Sequence, residues 1–66
     1  MLEPRDHIHV NEARVAAAAG VVMEQLGLSA GPAFEWIMTG SRLTGIPVLE
    51  LADLVVLEDV RRPANP

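Results

Sequence analysis

Sixty-six residues with no cysteine, half of them apolar, and a formal net charge of -4 exclude disulfide frameworks, thiolate metal sites and cysteine nucleophiles. They also argue against a strong polyanion binder, whose affinity comes from a basic patch that releases counterions. All five basic residues are arginine, at Arg5, Arg14, Arg42, Arg61 and Arg62, and no apolar run reaches membrane-spanning length.

A chain this short buries proportionately little surface, so a partner or a second copy is expected to complete its stability. The opening MLEPRDHIHV is too charged for a secretory signal, and the chain reads as cytoplasmic. Because it mixes Pro4, charges and two histidines, residues 1–10 read as a flexible N-terminal arm. His7 and His9 can pinch a metal only on extended backbone, and no third ligand lies nearby in sequence, so no metal site is expected.

From Asn11 the pattern becomes helical. Asn11 suits an N-cap and Glu12 the positive start of a helix. Val15, Ala18, Ala19, Val22 and Leu26 fall on one face, which predicts a first helix over Asn11–Leu26 with Val15, Val22 and Leu26 as core. Gly27 reads as its left-handed stop. Ser29 is the next cap, and Pro32 sits in a first turn where its missing N–H breaks no helical bond. Ala33, Ile37, Gly40 and Thr44 then carry a second helix to about Leu43. Pro47 reads as the first residue of a third helix running to about Val60, with Arg61 and Arg62 in its last turn and Pro63 beyond. Short loops between three such helices predict an all-α, compact three-helix bundle over residues 11–62, followed by a tail at 63–66.

Catalytic chemistry is not apparent. The nine acids are spread along the chain, and Glu50 with Asp53 at i, i+3 reads as a solvated face. There is no phosphate loop and no nucleophile with an obvious base, so no enzyme and no cofactor are expected. Phe34 and Trp36 are the two aromatics. Trp36, at the edge of its helix's apolar face, is the better candidate to be exposed and to stack an unpaired base.

The stretch RVAAAAGVVMEQLGLSAGPAF carries a Gly-aliphatic-aliphatic-Met step at Gly20, Val21, Val22 and Met23, a short Gly27-Leu28-Ser29 link and the Ala33-Phe34 pair. A serine at Ser41 precedes a turn, and Ala52 is followed by the aliphatics Leu54, Val55 and Val56. In this order and spacing, over about Glu12 to Val56, the sequence resembles the ANTAR family, the RNA-binding domain of bacterial transcription antitermination regulators. The resemblance implies a three-helix domain that binds a structured RNA with paired hairpin loops, usually as a dimer, and so prevents a terminator from forming. Such domains commonly follow a receiver or sensor domain. With about ten residues ahead of helix 1, this chain is expected to be a stand-alone relative or a piece of a longer protein.

The departures from the family pattern concern charge. Ala17 and Ala19 stand where a Gln and a Lys are common, and Pro47, Leu49 and Met38 occupy positions that are often basic. Over residues 11–62, four arginines against seven acids leave a net charge of -3. Two readings follow. In the first, the domain binds an RNA hairpin, with Arg14, Arg42, Arg61 and Arg62 as phosphate contacts and Trp36 as a stacking residue. In the second, it is a protein-interaction or homodimerisation module without RNA binding. Its contact surface would comprise the small-residue stripe at Ala13, Ala16, Ala17 and Gly20, where Gly20 permits close packing, and the surplus leucines Leu54 and Leu57. A DNA-reading helix ranks last, because helix 3 offers Glu50 and Asp53 where base-reading donors are needed.

Overall fold

Three α-helices follow one another in the computed structural model, which describes the backbone of residues 4–62 and the side chains of residues 11–62. They are α1 over Pro4–Leu26, α2 over Ala30–Thr44 and α3 over Val48–Arg61. The first helix packs against both others, while α2 and α3 touch each other least. The tail read at 63–66 and the first three residues of the arm lie outside the described residues.

Where helix 1 begins is a correction. Asn11 is not a cap, because α1 starts seven residues earlier at Pro4. The physical reason is local: proline is tolerated in a first turn, where its N–H would have no helical partner, and nothing between Pro4 and Asn11 breaks a helix. Asn11 sits within the helix, where its side-chain oxygen accepts from Arg14 at 3.4 Å. The extended segment that a His7/His9 metal pinch needs is likewise replaced by helix. Among the described residues, no group of histidines and acids is placed to hold a metal, and no helix is long and apolar enough to cross a membrane.

The other boundaries fall within a residue of the sequence pattern. Ser29 takes the position ahead of α2, and its carbonyl rather than its hydroxyl forms the bond there, accepting the Ala33 N–H at 3.0 Å. Pro47 precedes α3 instead of starting it, and its carbonyl accepts the Leu51 N–H at 2.9 Å. The corner between α2 and α3 is closed by side chains as well as backbone. Gly45 adopts φ +77°, a left-handed conformation that costs glycine nothing, and its N–H donates to the Ser41 carbonyl at 2.9 Å. Ser41 Oγ donates to the Ile46 carbonyl at 2.6 Å, and Thr44 Oγ1 donates to the Gly40 carbonyl while accepting the Ile46 N–H. The serine before the turn is thereby explained physically, since it satisfies a carbonyl that the turn leaves over.

The fully buried side chains are Ala18, Ala19 and Val22 from α1, Ala33 and Ile37 from α2, and Ala52 from α3. Val15, Met23, Leu28, Val48, Leu51, Val55 and Val56 pack around them partly buried. Leu26, expected in the core, is 51% exposed. It lies in the last turn of α1, next to Gly27, where the chain leaves the helix before α2 can cover it.

Two glycines exchange the roles that their positions suggest. A Cβ added at Gly40 would meet Leu51 Cδ2 at 3.2 Å, so Gly40 lets α2 and α3 approach. At Gly20 the same Cβ would meet nothing within 4 Å, so the close packing expected there does not occur within this chain. Gly20 therefore carries only the entropic penalty of glycine inside a helix. Gly20→Ala is expected to stabilise the protein by up to about 1 kcal/mol, raising the midpoint of a circular-dichroism melt by a few degrees; an unchanged or lowered midpoint would contradict the open surroundings of this position.

Candidate nucleic-acid interface

Among the described residues, surface grooves run between the helices, and three of them sort the candidate residues. In the first, the end of α1 and the outer face of α3 form walls around Trp36 from α2. Gln25, Leu26, Leu54, Glu58 and Arg62 line it with the indole. Trp36 is 47% exposed, so much of the side chain is open to a ligand. An aromatic face beside a guanidinium can stack a base and hold its phosphate at once. Glu58 opposes this by placing a carboxylate in the same groove.

The second groove lies between α1 and α3. Ala17, Val56, Leu57 and Val60 form its apolar floor, with Arg14 and Asp53 at its edge. Leu57 is 46% and Val60 74% exposed. Arg14 Nε donates to one oxygen of Asp53 at 3.1 Å and its terminal nitrogen to the other, a two-pronged ion pair joining residues 39 apart in sequence. Each holds the other in its charged form. The hydrogen bond and the attraction raise the Arg14 pKa and lower that of Asp53 below the usual carboxylate value, against a smaller opposing effect of partial desolvation. Further along, Gln25 donates to Asp59 at 3.0 Å and ties the end of α1 to α3.

Since the folded pKa of Asp53 lies below its unfolded value near 3.8, the stability it contributes is present above that value. It is lost as pH falls through the folded pKa. Denaturation of wild type and Asp53→Asn at pH 7 and at pH 3 checks this, with the difference between the two proteins expected to shrink at the lower pH.

The third groove is almost wholly apolar. Val15 and Ala16 of α1, Phe34 and Met38 of α2, and Val48 and Leu49 of α3 line it, together with Asn11 and Glu12. The alanine stripe of α1, at i, i+3, i+4 and i+7, is exposed along its length and borders two grooves. Ala16 faces this groove and Ala17 the Leu57 groove, while Ala13 and Gly20 are exposed and line neither. Leu54 and Leu57, three residues apart on α3, border different grooves, Leu54 the one with Trp36 and Leu57 the one with Ala17.

Of the arginines, only Arg62 shares a groove with Trp36 among the described residues. Arg14 is engaged by Asp53, Arg42 lies in the last turn of α2, and Arg61 is the final residue of α3. Sequence reasoning missed Asp53 as the partner of Arg14, having set it aside as part of a solvated acidic face. No local pattern pairs the two, because they stand 39 residues apart and meet only where α1 and α3 cross.

No curated protein and no solved structure matches the chain. A family model described as the ANTAR domain matches residues 10–56, most of the three-helix unit and the span that carries Gly20–Met23, Ala33-Phe34 and Ala52. With that match, the three-helix architecture and the motif order in agreement, the chain belongs to the ANTAR domain family of RNA-binding regulatory modules, which act in antitermination and are not enzymes.

Proposed function

We propose that this domain binds a hairpin of a structured RNA through the groove that holds Trp36 and Arg62, acting in transcription antitermination. The observation that carries this reading is the half-exposed Trp36 lining the same groove as Arg62. An unpaired loop base stacks on the ring, and the arginine takes its phosphate. Arg42 and Arg61, at the ends of their helices, supply longer-range attraction. With four arginines against seven acids over residues 11–62, the affinity is modest and falls steeply with salt. Titration of a labelled RNA bearing two adjacent hairpin loops, at low and at moderate salt, tests it. Saturable binding at low salt that weakens with added salt is the expected result, and no binding by folded protein at either salt overturns it.

A second reading, self-association, is favoured by the apolar groove of Ala17, Val56, Leu57 and Val60, which nothing among the described residues covers. A second copy would remove that surface from water. Because Leu54 belongs to the Trp36 groove, Leu57 is the residue to change. Leu57→Glu is expected to shift sedimentation from dimer to monomer while leaving the helical circular-dichroism signal intact. A wild-type protein that remains monomeric at high micromolar concentration would remove this reading.

A further inference from the structure

The Arg14–Asp53 pair is built like an arginine already holding an anion. Arg14 presents its Nε and one terminal nitrogen, the edge that matches two oxygens of a carboxylate or a phosphate. Both Asp53 oxygens are engaged by that edge. The remaining terminal nitrogen points to Asn11 Oδ1 at 3.4 Å, a neutral acceptor. The pair is open to solvent, with side chains 39% and 53% exposed, so an incoming anion can reach the guanidinium without disturbing the core. The rest of the groove, Ala17, Val56, Leu57 and Val60, offers neither a second cation to offset Asp53 nor another acid to replace it.

We propose that Asp53 occupies the phosphate-binding edge of Arg14 in the free protein, so that bound RNA must displace it and Asp53 sets how tightly the domain holds RNA. This rests on the RNA reading above and adds to it a second anchor, on the α1–α3 side, that is masked in the free protein. An exposed ion pair is held weakly enough to be exchanged. When a phosphate takes the guanidinium, the released Asp53 carboxylate remains beside it and repels it. Asp53 therefore weakens binding twice, through competition and through like charge. Arg14 makes little contribution in wild type and a full one when Asp53 is neutral.

The test is a two-by-two set of wild type, Asp53→Asn, Arg14→Ala and the double variant, titrated with the labelled two-hairpin RNA over a range of salt. Circular-dichroism melts confirm that all four are folded. Asp53→Asn is expected to tighten binding roughly threefold to tenfold, and to steepen the salt dependence by about one phosphate contact, a change of about 0.9 in the logarithmic slope. Arg14→Ala alone changes little, and the double variant returns to near the wild-type affinity. Asp53→Gln, which also lacks the charge, is expected to behave as Asp53→Asn does. The proposal is overturned if neutralising Asp53 tightens binding equally with and without Arg14, since net charge alone would then explain it. It is also overturned if wild type binds and Asp53→Asn binds no tighter, or if Asp53→Asn changes only self-association in sedimentation. Failure of the underlying RNA reading looks different: none of the four folded proteins binds at any salt.

Discussion

Replacing Ile37 by alanine is expected to leave the protein largely unfolded at physiological temperature. Among the described residues Ile37 is the one large side chain that is fully buried, and its companions in the core are four alanines and Val22. Cutting isoleucine to alanine in a core costs about 2–5 kcal/mol, the upper end applying where neighbours cannot collapse into the space. Here the other fully buried side chains are small, so little of the surrounding core can move in to fill the space. A domain of this size holds only several kcal/mol in total, roughly 0.05–0.15 kcal/mol per residue. Each lost kcal/mol lowers the melting midpoint by about 4–8 °C. A circular-dichroism melt is therefore expected to show a midpoint reduced by about 10 °C or more, or no cooperative transition. A drop of only a degree or two would mean that Ile37 is not the centre of the core.

Trp36→Ala is expected to have the largest effect on RNA binding. Loss of a stacked base is worth about 1–3 kcal/mol, or roughly fivefold to 150-fold in the dissociation constant, whereas the half-exposed indole contributes less to the fold than Ile37 does. Trp36→Phe keeps a ring face and should retain most of the affinity. Phe34→Ala provides the contrast, because Phe34 lines the apolar groove on another side, away from Arg62, and its loss should leave RNA affinity nearly unchanged. Trp36 is the sole tryptophan, so its own fluorescence reports stacking directly, with quenching on addition of hairpin RNA as the expected signal. Equal losses for Phe34→Ala and Trp36→Ala would place the RNA elsewhere.

Much of the fold was legible because its signals are local. The Gly27 and Gly45 stops, the position of Ser29 and the short period of Ala18, Ala19 and Val22 each depend on neighbours a few residues away. The start of α1 was not legible: Pro4 and the charges after it look like loop composition, and Asn11 looks like a cap although it serves within a helix. Gly20 and Gly40 are both glycines in helices, and only the crossing of α2 with α3 tells which one is needed for close approach. Leu26 fits the core face by angle, but the helix ends before α2 can cover it. The site was harder to read for the same reason. That Trp36 shares a groove with Arg62, that Leu54 joins them while Leu57 does not, and that Asp53 holds Arg14 all depend on how helices distant in sequence cross.

The buried interior is made mostly of methyl groups on α-carbons, and this bears on how the protein responds to heat and denaturant. Alanines at Ala18, Ala19, Ala33 and Ala52 let the helix backbones come close, yet pulling them apart hydrates few additional methylenes. The heat-capacity increment and the urea slope both scale with newly wetted apolar area, so both are expected to be modest for this chain. Its thermal transition is expected to be broad. An RNA or a second copy that clasps two helices at once is therefore expected to raise the melting midpoint of the bundle.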